Sequence, residues 1–283
     1  MPLVVTDAVV LHAFDYSETS RILRLDTRDA GVQSVLARGA RRSQRRFGSA
    51  LDLFAEGSAQ LYTKVGRDLN TLAAFDVTRA RPALALDLER FAGASAVAEL
   101  VLRFARDDVQ PGLYQVLTDA LDRLGDARPE QAREAALSGA WRLVAELGFA
   151  PTVDLCSACH ADVPADAPAM FSHPAGGVLC VRCARSTPGS RTVPPAARDA
   201  LRRWLGGDRA ELGGAAEGRA HQRLLREFLR EHLADGRALR AFELWERGRW
   251  SGADDAPHTP DAPDALEAPP APDAATSARG RGP

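Results

Sequence analysis

Over the first 80 residues, apolar and polar side chains alternate in short runs. Val4–Leu11, Arg21–Thr27, Val32–Ala37, Ser58–Tyr62 and Leu69–Asp76 are rich in Val, Leu and Ile with partial period-two spacing, the pattern of half-buried strands. Gly31, Gly39, Gly57 and Gly66 separate these runs at turn positions where a positive φ can be required. Five short strands without intervening helices predict a small closed barrel. The five-stranded OB-fold is a common solution, with an SH3-like barrel as its competitor.

From Pro82 the period lengthens. Leu84, Leu88, Phe91, Ala98 and Leu102 fall near one face of a 3.6-residue helix, with Pro82 in its first turn. A second helix is predicted from Pro111, presenting Leu113, Leu117, Leu121 and Leu124. A third runs from Pro129 with Leu137, Trp141, Val144 and Leu147 inward, and stops at Gly148. Further along, Pro195–Leu205 and Arg219–Ala234 carry Leu201, Trp204, Leu225, Phe228, Leu229 and Leu233, and a short last helix covers Leu239–Trp245. These stripes read as the core of a helical bundle.

All four cysteines lie between the two groups of helices, as Cys156-Ser-Ala-Cys159 and Cys180-Val-Arg-Cys183. Two such knuckles let four thiolates converge on one tetrahedral Zn²⁺, leaving no open position for substrate or activated water. The expectation is one structural zinc. Disulfides suit smaller secreted chains, and a redox pair would need a thioredoxin-like βαβ context that is not visible. His160 could replace a ligand, and the zinc-deaminase pattern fails because no His-x-Glu precedes the first pair. Met170-Phe171-Ser172 and Ala175–Leu179 read as two short strands around a Gly turn, a ribbon whose folding energy would come from the metal. The expected fold is therefore α+β and multidomain. It comprises an OB-fold barrel (1–80), a helical domain in two parts (81–149 and 189–249), a zinc ribbon between them (150–188) and a disordered acidic tail (250–283).

Charge modifies this picture. The formal net charge of -2 hides a tail from Ser251 that carries -4, so the preceding residues carry +2. The tail is mostly Ala, Pro, Gly and Asp, without aromatic residues, and cannot repay its ordering entropy. No apolar run approaches the ~20 residues that span a bilayer, and the N-terminus lacks the basic start of a signal peptide, so a cytoplasmic protein is expected. Lys64 is the sole lysine and lies between Thr63 and Val65, which excludes a Walker A motif. No Gly-x-Ser-x-Gly elbow or His-Glu-x-x-His is present. His12, His173, His221 and His232 suggest no pairing, so nothing positive points to an enzyme.

The sharpest feature outside the cysteines is Ala37-Arg38-Gly39-Ala40-Arg41-Arg42-Ser43-Gln44-Arg45-Arg46-Phe47, following a predicted barrel strand with no acid in it. Such a segment is the electrostatic footprint of phosphate binding, because each contact releases condensed counterions; the alternative is a solvated, flexible loop. Phe47, Tyr62 and Phe75 are candidate platforms for stacking bases, although each could equally be core.

These residues carry a family resemblance. Asp15-Tyr16-Ser17-Glu18-Thr19-Ser20-Arg21-Ile22-Leu23, Thr27-Arg28-Asp29-Ala30-Gly31 and Ala37–Arg42 resemble the N-terminal signature of the bacterial RecO family of DNA repair proteins. Glu146–Pro151 leading into Cys156, Ala175–Cys180, and the closing stretch from Arg223-Leu224-Leu225 to Leu239-Arg240 are similar to that family too; the likeness covers about residues 1–247. It implies an OB-fold, a helical domain with a four-cysteine zinc element, and DNA binding without catalysis. It further implies annealing of complementary strands and action with RecR and single-stranded-DNA-binding protein (SSB) to load RecA. Carried over by position, Arg38, Arg41, Arg42, Arg45 and Arg46 are the phosphate contacts and Cys156, Cys159, Cys180 and Cys183 the metal ligands. The alternative is a zinc-ribbon protein acting on RNA or the transcription machinery.

Overall fold

The computed structural model describes residues 2–40, 51–63, 68–105, 109–233 and 237–248. Arg41, Arg42, Arg45, Arg46, Phe47 and the expected tail lie outside these residues.

Strands β1 (Leu3–Asp15), β2 (Arg21–Thr27), β3 (Gly31–Ala37), β4 (Glu56–Tyr62) and β5 (Leu69–Arg79) close a barrel in the order β1-β2-β3-β5-β4. Neighbours are antiparallel except β3 and β5, which run parallel with Ser34 opposite Leu69 and Leu36 opposite Thr71. That order with a single parallel seam is the OB topology and disposes of the SH3-like competitor. Thirteen-residue β1 serves two neighbours, its first half pairing with β4 and its second with β2, and the register shifts between Val10 and His12 where the strand must bend. Alternation places Ala8, Val10, Leu23, Leu25, Val35, Ala59, Leu61, Leu72 and Phe75 inside. Phe75 is only 3% exposed, so it is core and not the stacking platform its aromatic ring suggested.

The helix expected from Pro82 is two elements, α1 (Ala83–Leu86) and α2 (Leu88–Phe104). Asp87 divides them: its backbone is extended and its Oδ1 accepts the Arg90 N–H at 2.9 Å, an N-cap that restarts the helix. Helix α3 (Pro111–Asp126) begins at its proline as predicted. A single 3₁₀ turn, Pro129–Gln131, precedes α4 (Ala132–Val144), which loosens into a π-helical turn through Phe149 with Gly148 at φ 92°. The bundle is tight because small residues meet at the crossings. A Cβ on Gly93 of α2 would stand 2.9 Å from the Ala136 Cβ of α4, and one on Gly139 of α4 would stand 2.7 Å from the Ala120 Cβ of α3.

The ribbon is a three-stranded sheet in the order β7-β6-β8, from β6 (Ala169–Ser172), β7 (Gly177–Leu179) and β8 (Arg191–Val193). The sequence reading missed β8 and the short helix α5 (Val181–Ala184), because three- and four-residue elements carry too little periodicity. Helices α6 (Pro195–Leu205), α7 (Ala215–His232) and α8 (Arg240–Arg247) complete the bundle. Phe171 of the ribbon and Trp141 of α4 both pack on Phe228 of α7, at ring separations of 6.2 and 5.3 Å, so ribbon and bundle share apolar contacts. Among the described residues, no helix is long and apolar enough to cross a membrane.

Candidate nucleic-acid interface and metal centre

Ala37, the last residue of β3, sits opposite Arg21 of β2, and Arg38 follows in an exposed turn whose Gly39 has φ 72°. Ala40 packs against the barrel core, and Leu51 is buried within it. The chain therefore meets the same barrel core on either side of residues 41–50, through Ala40 and Leu51. Next to its return lies an open cavity of about 360 Å³ lined by Ala13, Phe14, Asp15, Arg21, Leu51, Asp52 and Leu53. Arg21 Nε donates to Asp15 Oδ1 at 3.0 Å across the mouth of the β1–β2 turn.

Two aromatic residues that the pattern reading passed over flank this end. Phe14 is exposed beside His12 (ring centroids 5.8 Å apart), and Tyr16 is 62% exposed in the β1–β2 turn. Tyr62 is exposed as well, at the end of β4. Tyr16 lies within the segment that carried the family likeness, which was the only signal for it.

The four cysteines come together. Cys156 lies in a tight knuckle in which its N–H donates to Ala161 O and its carbonyl accepts the His160 N–H, both at 2.8 Å. His160 turns back with φ 59° and points to solvent outside the sulfur cluster. Cys180 immediately precedes α5, and its carbonyl accepts the Ala184 N–H at 2.9 Å. Gly177 brings the two knuckles close: Thr152 and Gly177 form a β-bridge, and a Cβ on Gly177 would stand 2.2 Å from Thr152 O.

The four Sγ atoms all lie within 4.8 Å of one another, and Cys159 and Cys180 Sγ are 3.7 Å apart. A tetrahedron with metal–sulfur bonds of about 2.3 Å has edges of roughly 3.8 Å, so the donor set fits one thiophilic ion. The protonation pattern agrees. Burial opposes a thiolate at Cys156, yet N–H donors from Cys180, Cys159 and Ala158 outweigh it and bring that thiol down to about 6. Contact with the Cys159 and Cys180 sulfurs pushes Cys183 up to about 12. Four sulfurs this close cannot all ionise against one another, and a divalent cation among them removes that conflict. Arg182 adds a positive charge against the Cys159 and Cys183 sulfurs.

The histidines are less scattered than their spacing suggested. His232 Nε2 lies 2.7 Å from His173 O, and His173 Nε2 lies 3.7 Å from Glu227 Oε2. Glu227 also receives Arg191 Nη2 of β8 at 3.1 Å, tying the ribbon to α7. His221 is separate, buried edge-on against Trp204 with ring centroids 4.8 Å apart.

Comparison with known proteins agrees with this architecture. The family model described as Recombination protein O N terminal matches residues 1–81, and that described as Recombination protein O C terminal matches residues 85–240. A DNA repair protein RecO from Anaeromyxobacter sp. (strain K) is 39% identical over 252 residues, covering 86% of this chain and 96% of its own. One from Rubrobacter xylanophilus is 32% identical over 234 residues, covering 82% and 92% respectively. The barrel, the helical bundle and the four-cysteine ribbon thus occur in a chain that belongs to the RecO family of DNA repair proteins.

Proposed function

We propose that this protein binds single- and double-stranded DNA at the basic end of its barrel, anneals complementary strands and, with RecR, helps RecA load onto SSB-coated single strands in the cytoplasm. The observation that supports this most is the anchoring of the arginine-rich segment. Arg38 starts it on an exposed turn, and Ala40 and Leu51 hold its two ends against one barrel core. Arg38, Arg41, Arg42, Arg45 and Arg46 are its phosphate contacts, and the exposed Phe14 and Tyr16 are available to stack bases.

Annealing makes and breaks no covalent bond and calls for no catalytic group. Two polyanions must approach while their bases stay free to pair, and guanidinium groups on the protein offset the repulsion between them. Five neutralised phosphates give a log–log salt slope near -3.5 on single strands, at about -0.7 per contact. Cys156, Cys159, Cys180 and Cys183 would hold one Zn²⁺, which supplies folding energy to a sheet of three- and four-residue strands. The test is an annealing assay with SSB-coated complementary oligonucleotides, without ATP, over a salt series. Faster strand pairing at low ionic strength is expected; no acceleration at any salt concentration overturns the reading.

A further inference from the structure

The described arginines mostly have partners: Arg21, Arg28, Arg79, Arg81, Arg133 and Arg202, for example, each meet a carboxylate. Helix α7 departs from this. Arg219, Arg223 and Arg230 are exposed and make no ion pair or hydrogen bond among the described residues. At about 100° per residue, positions 219, 223 and 230 lie within about 40° of one another, so the three form one stripe. Arg226 falls at the stripe's edge, held by Glu246 at 2.8 Å.

An ordinary solvated helix face alternates signs at i, i+3 and i+4. Here Arg219–Arg223, Arg223–Arg226 and Arg226–Arg230 are like-charge neighbours at those spacings, an arrangement that opposes helix formation. The acids of α7 relieve it only in part. Glu217 accepts the Gly213 N–H, and Glu227, four residues after Arg223 and three before Arg230, gives its carboxylate to Arg191 and Arg226. Glu231 lies about 100° round the helix from Arg230.

We infer that the Arg219–Arg223–Arg230 stripe of α7 is a second nucleic-acid site, which takes the phosphate backbone of a single DNA strand. Successive arginines rise by about 6 and 10.5 Å along the axis, a linear array suited to a linear polyanion with regularly repeated charge. Each planar guanidinium can grip two oxygens of one phosphate. This inference rests on the proposed annealing function, to which it adds where the second strand is held: one strand on the barrel, its complement on α7.

The test uses the full chain and a labelled oligonucleotide of about 15 nucleotides, within the range one OB-fold covers. Titration at low salt is expected to show two strands bound per protein, and one for the triple variant R219A/R223A/R230A. The lost isotherm should carry a salt slope of about -2, from three contacts at roughly -0.7 each. Annealing of uncoated complementary strands should slow at least about tenfold, and R219K/R223K/R230K should restore the second bound strand and its salt slope, because counterion release depends on charge and not on the bidentate grip. Unchanged stoichiometry and annealing in the alanine variant, with its helix content intact, overturn the second site while leaving the barrel reading in place. If R41A/R42A binds as the parent does while the α7 variant loses all binding, the barrel reading falls and the stripe stands. A polyglutamate peptide that occupies the stripe when the oligonucleotide does not also overturns the inference.

Discussion

Arg81 Nε donates to Asp122 Oδ1 at 2.6 Å, joining the segment that leaves the barrel to helix α3 of the bundle. The same guanidinium reaches Glu56 Oε2 at 2.6 Å and the carbonyl of Phe54 at 2.9 Å, and its side chain is only 3% exposed. Tyr114 of α3 donates to Glu56 Oε1 at 3.1 Å, and Arg28 of the β2–β3 turn lies over the Tyr114 ring, 5.3 Å from its centroid. Barrel and bundle are thus fastened through one buried cation with three acceptors. A barrel that slid on the bundle would strand that charge.

Arg81→Ala should therefore destabilise the protein by about 3–5 kcal/mol, the usual effect of removing one partner from a buried ion pair. Chemical denaturation followed by both circular dichroism and tryptophan fluorescence measures it. A loss below about 1 kcal/mol would show the network to be peripheral.

The four-cysteine cluster predicts a stoichiometry. Purified protein should contain one zinc per chain, and Cys156→Ser should lower that content and expose the amides of β6 and β7 to hydrogen exchange. Intact ribbon protection in metal-free protein would remove the structural role. DNA binding retained by soluble metal-free protein would separate the metal from the interface.

At the barrel, Arg41→Ala combined with Arg42→Ala should flatten the single-strand salt slope by about 1.4 units, two contacts at roughly 0.7 each. Fluorescence anisotropy over a salt series reads this directly, and an unchanged slope takes the segment out of the DNA site.

Two buried groups should tilt stability with pH in opposite directions. Burial raises Asp26 to about 7, despite the Thr27 N–H that favours its anion. The folded protein then keeps a proton that the unfolded chain releases near 3.8, so this group lowers stability as pH rises from about 4 to 7. Burial lowers His221 to about 4, so the unfolded chain takes up a proton first as pH falls below 6.5, and stability is lost toward pH 4. The two slopes largely cancel in the parent. Asp26→Asn should unmask the histidine slope, and its advantage over the parent should grow from pH 4 to 7 to on the order of 4 kcal/mol. His221→Phe should unmask the opposite slope. Denaturation at several pH values checks both, and parallel pH profiles for parent and variants would refute the assignment.

Much of this protein could be read from its residues in order. Local chemistry decides where an element starts and what it buries: β2 and α6 have the bounds that alternation and Pro195 predicted, and the spacing of the four cysteines announces a cluster that could hold a metal ion. The shorter pieces escaped because three residues, as in β8, hold no period, and because the Asp87 cap overrides an apolar stripe that runs straight across it. What only the folded chain decided are relations between distant residues. Phe75 and Tyr16 are both aromatic, but Phe75, opposite Ala59 of β4, faces the core of the closed barrel, whereas Tyr16 in the β1–β2 turn stays in solvent. His173, Arg191 and Glu227 meet only because β6 and β8 pack on α7. The arginines of α7 can be counted in the sequence, but whether each has a carboxylate beside it depends on which neighbours the packing brings. Periodicity is a property of a segment, whereas burial and charge compensation are properties of what lies across from it.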